Sequence, residues 1–218
     1  MIKTYMIVGI GLGLGCCALA ATPAQKETLS PPGKPAPPPV SGRAATNVDV
    51  RENGERPPQW AAPMTLEGVP NLHRVTPNLY RSAQPTAKGM QQLKEMGIET
   101  VVNLRSFHSD REEIGSTGLG YEHLYMKAWH PEDKELVRFL QIVSNPKRTP
   151  VLVHCKHGAD RTGTLSAVYR MAVQGWSRED AIEEMREGGF GFHEVWVNIV
   201  PYLEKLDLEA IKKKAGLE

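Results

Sequence analysis

The chain has 218 residues, of which 23% are charged, and its formal net charge is +1. This balance argues against the strongly basic surface that nucleic acids or anionic membranes attract. The length is sufficient for one catalytic domain with extensions, so we expect a single folded domain.

Residues 1–20 are typical of a secretory signal peptide. Lys3 is the lone charge before an apolar stretch from Met6 to Gly15, and Ala18-Leu19-Ala20 provides a small-residue cleavage motif. We therefore expect a periplasmic or secreted protein with no stable membrane insertion after cleavage. A lipoprotein anchored at Cys16 is one alternative, although the usual leucine three residues upstream is absent. An uncleaved anchor is another, although the apolar stretch is shorter than the roughly 20 residues that a span needs.

Residues 21–63 are predicted to form a disordered, Pro-rich linker, and residues 64–214 the catalytic domain. The linker holds 10 of the 17 prolines and lacks apolar periodicity. Two of the three cysteines lie in the signal peptide, so only Cys155 remains after cleavage. A lone cysteine cannot form an intrachain disulfide, which favours a free reactive thiol.

Short apolar segments alternate with helical patterns along the domain, which predicts an α/β fold with a mainly parallel central sheet. The predicted strands cover residues 72–75, 78–81, 100–104, 121–125 and 151–153. The predicted helices cover residues 86–96, 131–143, 164–173, a segment after Ser177, 195–206 and 208–214. Residues 106–120 are predicted to form a long polar loop.

The segment from His154 to Gly163 carries the most functional information. Cys155 and Arg161 bracket five residues, between an apolar run and a helical pattern. A strand, a tight loop and a helix in this order turn loop N–H groups toward an anion, and the helix N-terminus adds positive potential. Arg161 can hold two phosphate oxygens, and the same field lowers the pKa of the Cys155 thiol. A thiolate in such a cradle is a nucleophile directed at phosphorus.

This segment resembles the signature of the cysteine-dependent protein tyrosine and dual-specificity phosphatases, which reads His-Cys, five residues, Arg, then Ser or Thr. The similarity extends to Tyr80-Arg81-Ser82-Ala83-Gln84-Pro85 and covers roughly residues 72–192, especially in comparison with exported bacterial dual-specificity tyrosine phosphatases. It implies the protein tyrosine phosphatase-like fold and a phosphocysteine intermediate at Cys155, with His154 supporting the cysteine and Thr162 helping the sulfur to leave. The phosphate-binding residues that it implies are Lys156, His157, Gly158, Ala159, Asp160, Arg161 and Thr162.

The general acid is not specified by this signature. Related enzymes carry an aspartate four residues before a loop proline, whereas Lys127 stands four residues before Pro131 here. The same loop offers His130, Glu132 and Asp133 instead, and the alternative role of Asp133 is to stabilise a helix N-terminus. Asp160 is favoured over Asp133, because it resembles the Asp-Arg-Thr loops of phosphoinositide and triple-specificity bacterial phosphatases. A carboxyl beside a thiolate and a dianion is also pushed toward its protonated form. Its alternative role is a salt bridge to Lys156 or an arginine.

The predicted function is hydrolysis of phosphotyrosine in a phosphorylated protein, with phosphoserine and phosphothreonine as further candidate substrates. One alternative is a phosphoinositide or inositol-phosphate phosphatase, and another is a phosphate-binding pseudophosphatase. Arg81 and Arg105 are candidates for framing the pocket, with structural ion pairs as their alternative role. We expect no organic cofactor and no nucleic-acid partner. We also expect no metal ion, because His154, Cys155 and His157 lie too close in sequence to face one ion together.

Overall fold

A six-stranded sheet forms the centre of the computed structural model, which describes residues 56–217. The predicted signal peptide, residues 1–20, and most of the predicted linker lie outside the described residues. In chain order the strands are β1 (Ala62–Pro63), β2 (His73–Thr76), β3 (Leu79–Ser82), β4 (Thr100–Asn103), β5 (Gly120–His123) and β6 (Val151–His154).

Helices cover both faces of the sheet. In chain order they are α1 (Ala87–Glu95), α2 (Arg111–Ile114), α3 (Asp133–Val143), α4 (Asp160–Gln174), α5 (Arg178–Glu187), α6 (Ile199–Lys205) and α7 (Leu208–Ala215). None of these helices is both long and apolar enough to cross a membrane.

The strand order is β1-β2-β3-β6-β4-β5, and the four strands from β3 to β5 in that order run parallel. Only β1 and β2 pair in antiparallel fashion, at one edge of the sheet. The predicted α/β fold with a mainly parallel sheet is therefore confirmed. The last residues of neighbouring parallel strands are level, since His154 lies opposite both Ser82 and Asn103. Ligand sites of open α/β sheets form at this carboxyl edge.

Burial on both faces explains why the central strands are continuously apolar. Val151 and Val153 contribute to the core formed with α3 to α7, whereas Leu152 between them belongs to the core formed with α1 and α2. Successive side chains of a strand point to opposite faces, so a strand covered on both sides has no polar positions.

Three helices differ from the sequence prediction by more than two residues or are absent from it. The predicted loop at 106–120 contains α2, a single turn whose only buried side chain is Ile114, so no periodic pattern announces it. Helix α4 begins at Asp160 rather than Thr164, because its first turn is buried against the preceding loop and carries no alternating polarity. Helix α6 begins at Ile199 rather than 195, since two tight turns that start at His193 and Trp196 lead into it.

The packed domain also begins before the predicted boundary at residue 64. Trp60 and Ala61 are buried, although both were assigned to the disordered linker. The Ala61 N–H donates to Glu184 Oε1 at 2.6 Å, and the Arg56 guanidinium donates to the carbonyl oxygens of Ala61 and Gly188. Glu184 and Gly188 lie more than 100 residues along the chain, so linker composition gives no sign of these contacts.

Candidate active site

Cys155 follows the last residue of β6, in the middle of the carboxyl edge of the sheet. The residues after it form a tight loop that enters α4 at Asp160, so that Arg161 and Thr162 lie in the first turn of the helix. The Cys155 side chain is 2% exposed and forms no disulfide. The structure thus places the sulfur at the floor of a loop that opens toward a helix N-terminus.

Four successive carbonyl groups of this loop accept hydrogen bonds from surrounding segments. The donors are the Gln84 N–H to Lys156 O (3.3 Å), the Asn71 side chain to His157 O (2.9 Å), the Arg81 guanidinium to Gly158 O (2.8 Å) and the Gly163 N–H to Ala159 O (2.7 Å). With the carbonyls held outward, the N–H groups are free to turn inward. The N–H groups of His157 and Thr162 do so, since both act on the Cys155 sulfur. This arrangement is an anion-binding nest.

Arg81 contacts the loop with its buried guanidinium group. Its guanidinium is buried over the ring of Phe190, 3.6 Å from the centroid, and reaches the carbonyl of Gly158. Burial lowers the pKa of Arg81 to about 10, while Glu184 and Cys155 counteract this, so the side chain stays charged at neutral pH. Two roles were considered for Arg81, framing the pocket and forming a structural ion pair. Its hydrogen bond to Gly158 agrees with the first role.

Gly158 allows the loop to pass close to β3. Its φ of +72° lies in the left-handed region, and a Cβ atom there would lie 2.5 Å from the backbone carbon of Ser82. Only glycine therefore fits at this position without a shift of the loop.

The pKa of the Cys155 thiol is lowered despite its burial. Burial acts to raise this pKa, but the Thr162 hydroxyl, the charge of Arg161 and the two loop N–H groups together outweigh it. The Thr162 hydroxyl is buried, and no oxygen or nitrogen atom of residues 56–217 is its hydrogen-bond partner, which leaves it available to the sulfur. A hydroxyl that donates to a thiolate favours the charged form.

His154 is fixed behind the cysteine by Asp110, a residue that the sequence interpretation missed. His154 Nε2 donates to Asp110 Oδ2 at 2.6 Å, and both side chains are fully buried. Asp110 Oδ1 also accepts from the side chains of Gln84 and Asn103, each at 3.0 Å. Asp110 is one of several acidic residues in a polar segment, and no spacing relative to Cys155 distinguishes it in the sequence.

Asp160, the favoured acid candidate, is paired with His193 rather than with Lys156 or an arginine. Its carboxylate accepts from the His193 backbone N–H at 2.9 Å and from His193 Nδ1 at 2.9 and 3.1 Å. The Asp160 side chain is 9% exposed and that of His193 is 45% exposed. The sequence interpretation did not consider His193, which lies in a segment predicted only as a connection between helices.

The other acid candidate, Asp133, has contacts at a different place in the fold. It is the first residue of α3, where its carboxylate accepts from the Tyr202 hydroxyl at 3.1 Å and lies 3.6 Å from Lys214 Nζ. The preceding Glu132 forms a capping box with Glu135. These positions agree with the helix-stabilising role considered for Asp133, and its catalytic role stays a prediction.

Trp129, in the segment considered for the general acid, is an exposed aromatic side chain. Trp129 is 57% exposed and stacks on Trp196 with centroids 6.3 Å apart, which joins the segment before α3 to the segment before α6. Arg161 is partly exposed and donates to the Leu104 carbonyl at 3.3 Å, while Arg105 donates to Gln84 Oε1 at 3.0 Å.

Within residues 56–217, three side chains could in principle hold a metal ion. His108, Asp110 and Glu113 each bring a ligand atom within 4.8 Å of the others. Both Asp110 oxygens already accept hydrogen bonds, and His108 Nε2 lies 3.2 Å from Glu113 Oε1. His108 Nε2 lies 3.6 Å from Asp110 Oδ1, so the cluster surrounds the carboxylate that holds His154.

Comparison with known proteins agrees with this geometry. Residues 67–195 match the family described as "DSP-PTPase phosphatase fused to NAD+ Kinase". The chain is 35% identical to the dual specificity protein phosphatase TpbA of Pseudomonas aeruginosa over 158 residues, covering 72% of this chain and 71% of TpbA.

The chain belongs to the dual-specificity protein phosphatase family. Crystal structures of this family superimpose on it: P. aeruginosa TpbA has a TM-score of 0.65 at 34% identity, covering 73% of this chain and 98% of TpbA. The catalytic core of the PP-IP phosphatase SIW14 of Saccharomyces cerevisiae has a TM-score of 0.62 at 25% identity, covering 70% and 95% of the two chains. Both the predicted family and the predicted enzyme class of the dual-specificity phosphatases are confirmed.

Proposed function

We propose that this phosphatase hydrolyses phosphotyrosine in proteins, with Cys155 as the nucleophile and Arg161 as the phosphate-holding cation. The observation that carries the proposal is the loop from Cys155 to Thr162, whose charges and N–H groups stabilise a buried thiolate. The residues that bind the phosphoryl group are those of the loop, with Lys156, His157, Gly158, Ala159 and Asp160 contributing backbone N–H groups. No metal or organic cofactor has a role in this mechanism.

The reaction has two steps in this proposal. The Cys155 thiolate attacks phosphorus and the tyrosyl oxygen leaves, which yields a phosphocysteine. Water then attacks phosphorus, and the Cys155 thiolate leaves with help from the Thr162 hydroxyl. In both steps Arg161 and the loop N–H groups hold the equatorial oxygens, where charge is greatest.

Phosphotyrosine is favoured over polyanionic substrates by the charges of the loop. Lys156 and Asp160 cancel each other between Cys155 and Arg161, so the loop offers one dianion site rather than several. The exposed Trp129 offers an apolar surface for an aryl group. A solved structure of P. aeruginosa TpbA, 33% identical with a TM-score of 0.66, contains pTyr, which supports the same substrate class here.

Variants of the two key residues test the mechanism. We expect Cys155→Ser to abolish turnover of p-nitrophenyl phosphate while vanadate still binds, because the cradle is intact but the nucleophile is poor. Arg161→Lys is expected to be severely impaired, since an ammonium cannot reproduce the planar fork. Activity of Cys155→Ser within tenfold of wild type would exclude the phosphocysteine. Absence of turnover by the wild-type protein would indicate a phosphate-binding pseudophosphatase.

An inositol-phosphate phosphatase is the second candidate, and the similarity to the SIW14 core favours it specifically. The two functions separate when kcat/KM is measured on a phosphotyrosyl peptide and on inositol hexakisphosphate at equal ionic strength. We expect the peptide to be the better substrate. A tenfold preference for the inositol phosphate would instead establish the second candidate.

We further propose that the enzyme is exported, as residues 1–20 indicate. The measurement is the intact mass of the protein recovered from its native compartment. A chain that begins near Ala21 supports a cleaved signal peptide. Acyl chains on Cys16 would indicate a lipoprotein, and retention of Met1 would indicate an uncleaved anchor.

A further inference from the structure

The described site contains a nucleophile and a phosphate cradle, but its carboxylates are all committed to other partners. Asp110 lies fully buried behind His154, and Asp133 pairs with Tyr202 in a different part of the fold. Asp160 is the remaining candidate, and both of its oxygens accept hydrogen bonds from His193. Both oxygens of Asp160 are therefore already held, and the group that holds them is the imidazole of His193.

His193, by contrast, is built into the edge of the cradle with its ring partly exposed. The Asn71 side chain donates to the carbonyls of both His157 and Phe190 at 2.9 Å, which ties the segment before His193 to the Cys155 loop. Phe190 is itself buried under Arg81. The ring of His193 lies 5.3 Å from that of His157, centroid to centroid. This segment is therefore anchored at two points immediately before His193.

The Asp160–His193 pair has the arrangement in which a carboxylate orients an imidazole for proton transfer. Nδ1–H donates to the buried carboxylate, so Nε2 is the ring nitrogen left to exchange protons at the exposed side. The carboxylate thereby fixes the tautomer and the orientation of the ring, as in the histidine–aspartate part of a catalytic triad.

We propose that His193 protonates the oxygen atom that leaves phosphorus, and that Asp160 positions His193 rather than donating the proton itself. This inference rests on the proposed function. In the first step the Cys155 sulfur–phosphorus bond forms, the phosphorus–oxygen bond of the substrate breaks, and the Nε2 proton passes to the departing oxygen. In the second step water attacks phosphorus, gives its proton to the neutral Nε2, and the sulfur–phosphorus bond breaks to release phosphate and the thiolate.

His157 is the nearest competing imidazole. Burial, His193 and Lys156 hold the pKa of His157 below its ordinary value, so this ring is the poorer source of a proton. Asp160 of α4 and His157 of the Cys155 loop are the titratable groups that face the His193 ring, and Lys156 and Arg161 lie beside His157. The next residue in the chain, Glu194, is paired with Arg186 of α5. Asp160 alone among these makes hydrogen bonds to the His193 side chain in the described residues.

The experiment compares substrates with good and poor leaving groups. With His193→Gln, we expect kcat on a phosphotyrosyl peptide to fall by about 10² to 10⁴, the range of general acid catalysis, and kcat on p-nitrophenyl phosphate to stay within about tenfold. The preserved rate on the activated substrate also shows that the variant is folded. The matched control is Glu194→Gln, which alters the adjacent exposed residue of the same segment and should leave both rates unchanged.

Asp160 is tested by its effect on the pH profile. We expect Asp160→Asn to move the basic limb of kcat on the peptide to lower pH, because the imidazolium loses its anionic partner, and Asp160→Glu to restore part of the shift. If His193→Gln keeps the wild-type ratio of the two substrates while Asp160→Asn loses it, Asp160 is the acid and the proposal is wrong. An equal loss on both substrates would also overturn it, since it indicates a structural role. Turnover by Cys155→Ser would refute the proposed function independently.

Discussion

Asp110 and His154 form a buried carboxylate–imidazole pair, with 2.6 Å between Oδ2 and Nε2, directly behind the residue that precedes Cys155. The pair joins the segment before α2 to the end of β6, and both side chains are 0% exposed. Burial acts to raise the pKa of Asp110, but hydrogen bonds from His154 and Gln84 outweigh it and hold that pKa below its ordinary value. The base of the loop is thus fixed by a charged group that stays ionised at neutral pH.

Asp110→Asn is predicted to destabilise the domain. The carboxylate accepts three hydrogen bonds, and the amide NH₂ of asparagine would face one of those donors, so we expect the free energy of unfolding to fall by about 1–3 kcal/mol at pH 7. Urea denaturation measures this, with the exposed Glu112→Gln as the control. A change no larger than that of the control would contradict the prediction.

The same pair predicts a pH dependence with a defined sign. A carboxylate whose pKa is lower in the folded state than in the unfolded state stabilises the fold at any pH above its unfolded-state pKa. This stabilisation is lost as the pH falls through the folded-state pKa. The difference between wild type and Asp110→Asn should therefore be constant at neutral pH and shrink below roughly pH 4. A difference that instead disappears between pH 6 and 8 would assign it to a group other than Asp110.

Thr162→Val is predicted to raise the pKa of Cys155. The substitution keeps the shape of the buried side chain but removes the hydroxyl that acts on the sulfur. A hydrogen bond to a charged group contributes about 1.5–3 kcal/mol, which corresponds to an upward shift of about 1–2 pH units. The measurement is the pH dependence of iodoacetamide labelling of Cys155 by mass spectrometry.

The matched control is Thr164→Val, two positions along in the same helix. The Thr164 hydroxyl is also buried but donates to the Asp160 carbonyl at 2.9 Å. Its removal should leave the labelling midpoint unchanged. Equal midpoints for Thr162→Val and wild type would show that other groups stabilise the thiolate.

Gly158→Ala is predicted to reduce activity far more than stability. The new methyl group would lie within 2.6 Å of the backbone of Ser82 and Ala83, so the loop must move. A displacement of about 1 Å can cost about 10² in rate, which we expect for kcat/KM on p-nitrophenyl phosphate. Gly175→Ala is the control, because Gly175 has a similar φ of +69° but open space around a Cβ. Equal activity losses in both variants would indicate that positive φ, not the clash, is responsible.

Glu184→Gln is predicted to loosen the connection between the N-terminal segment and helices α4 and α5. Glu184 receives two hydrogen bonds from Arg170, at 2.7 and 2.6 Å, and one from the Ala61 N–H. Both charges are buried, and removing one leaves the other uncompensated, so we expect a loss of about 3–5 kcal/mol. Denaturant unfolding measures it, with Glu67→Gln in the exposed Lys88 pair as the control. Similar effects of the two variants would show that the buried pair is no stronger than a surface one.

The sequence by itself determined the features that lie within one contiguous stretch. A strand, the Cys155 loop and a helix follow each other without interruption, so residue order alone specifies the nucleophile's position, the Arg161 spacing and the parallel α/β fold. Helix α3 and strands β2 to β6 were predictable for the same reason, since their hydrophobic pattern is local, whereas β1 lies in the segment predicted as a linker. Asp133 also stands at the start of α3, as its helix-stabilising role required.

Only the tertiary structure decided which distant residues support the loop. Asp110 meets His154 across 44 positions, Arg81 meets Gly158 across 77, and His193 meets Asp160 across 33. No local pattern announces such pairs, because a buried polar residue takes its partner from sheet order and strand register, not from its neighbours in sequence. The loop's chemistry can thus be inferred from its own residues, whereas the fixing of its carbonyls, of His154 and of Asp160 depends on segments that the fold brings to the carboxyl edge of the sheet.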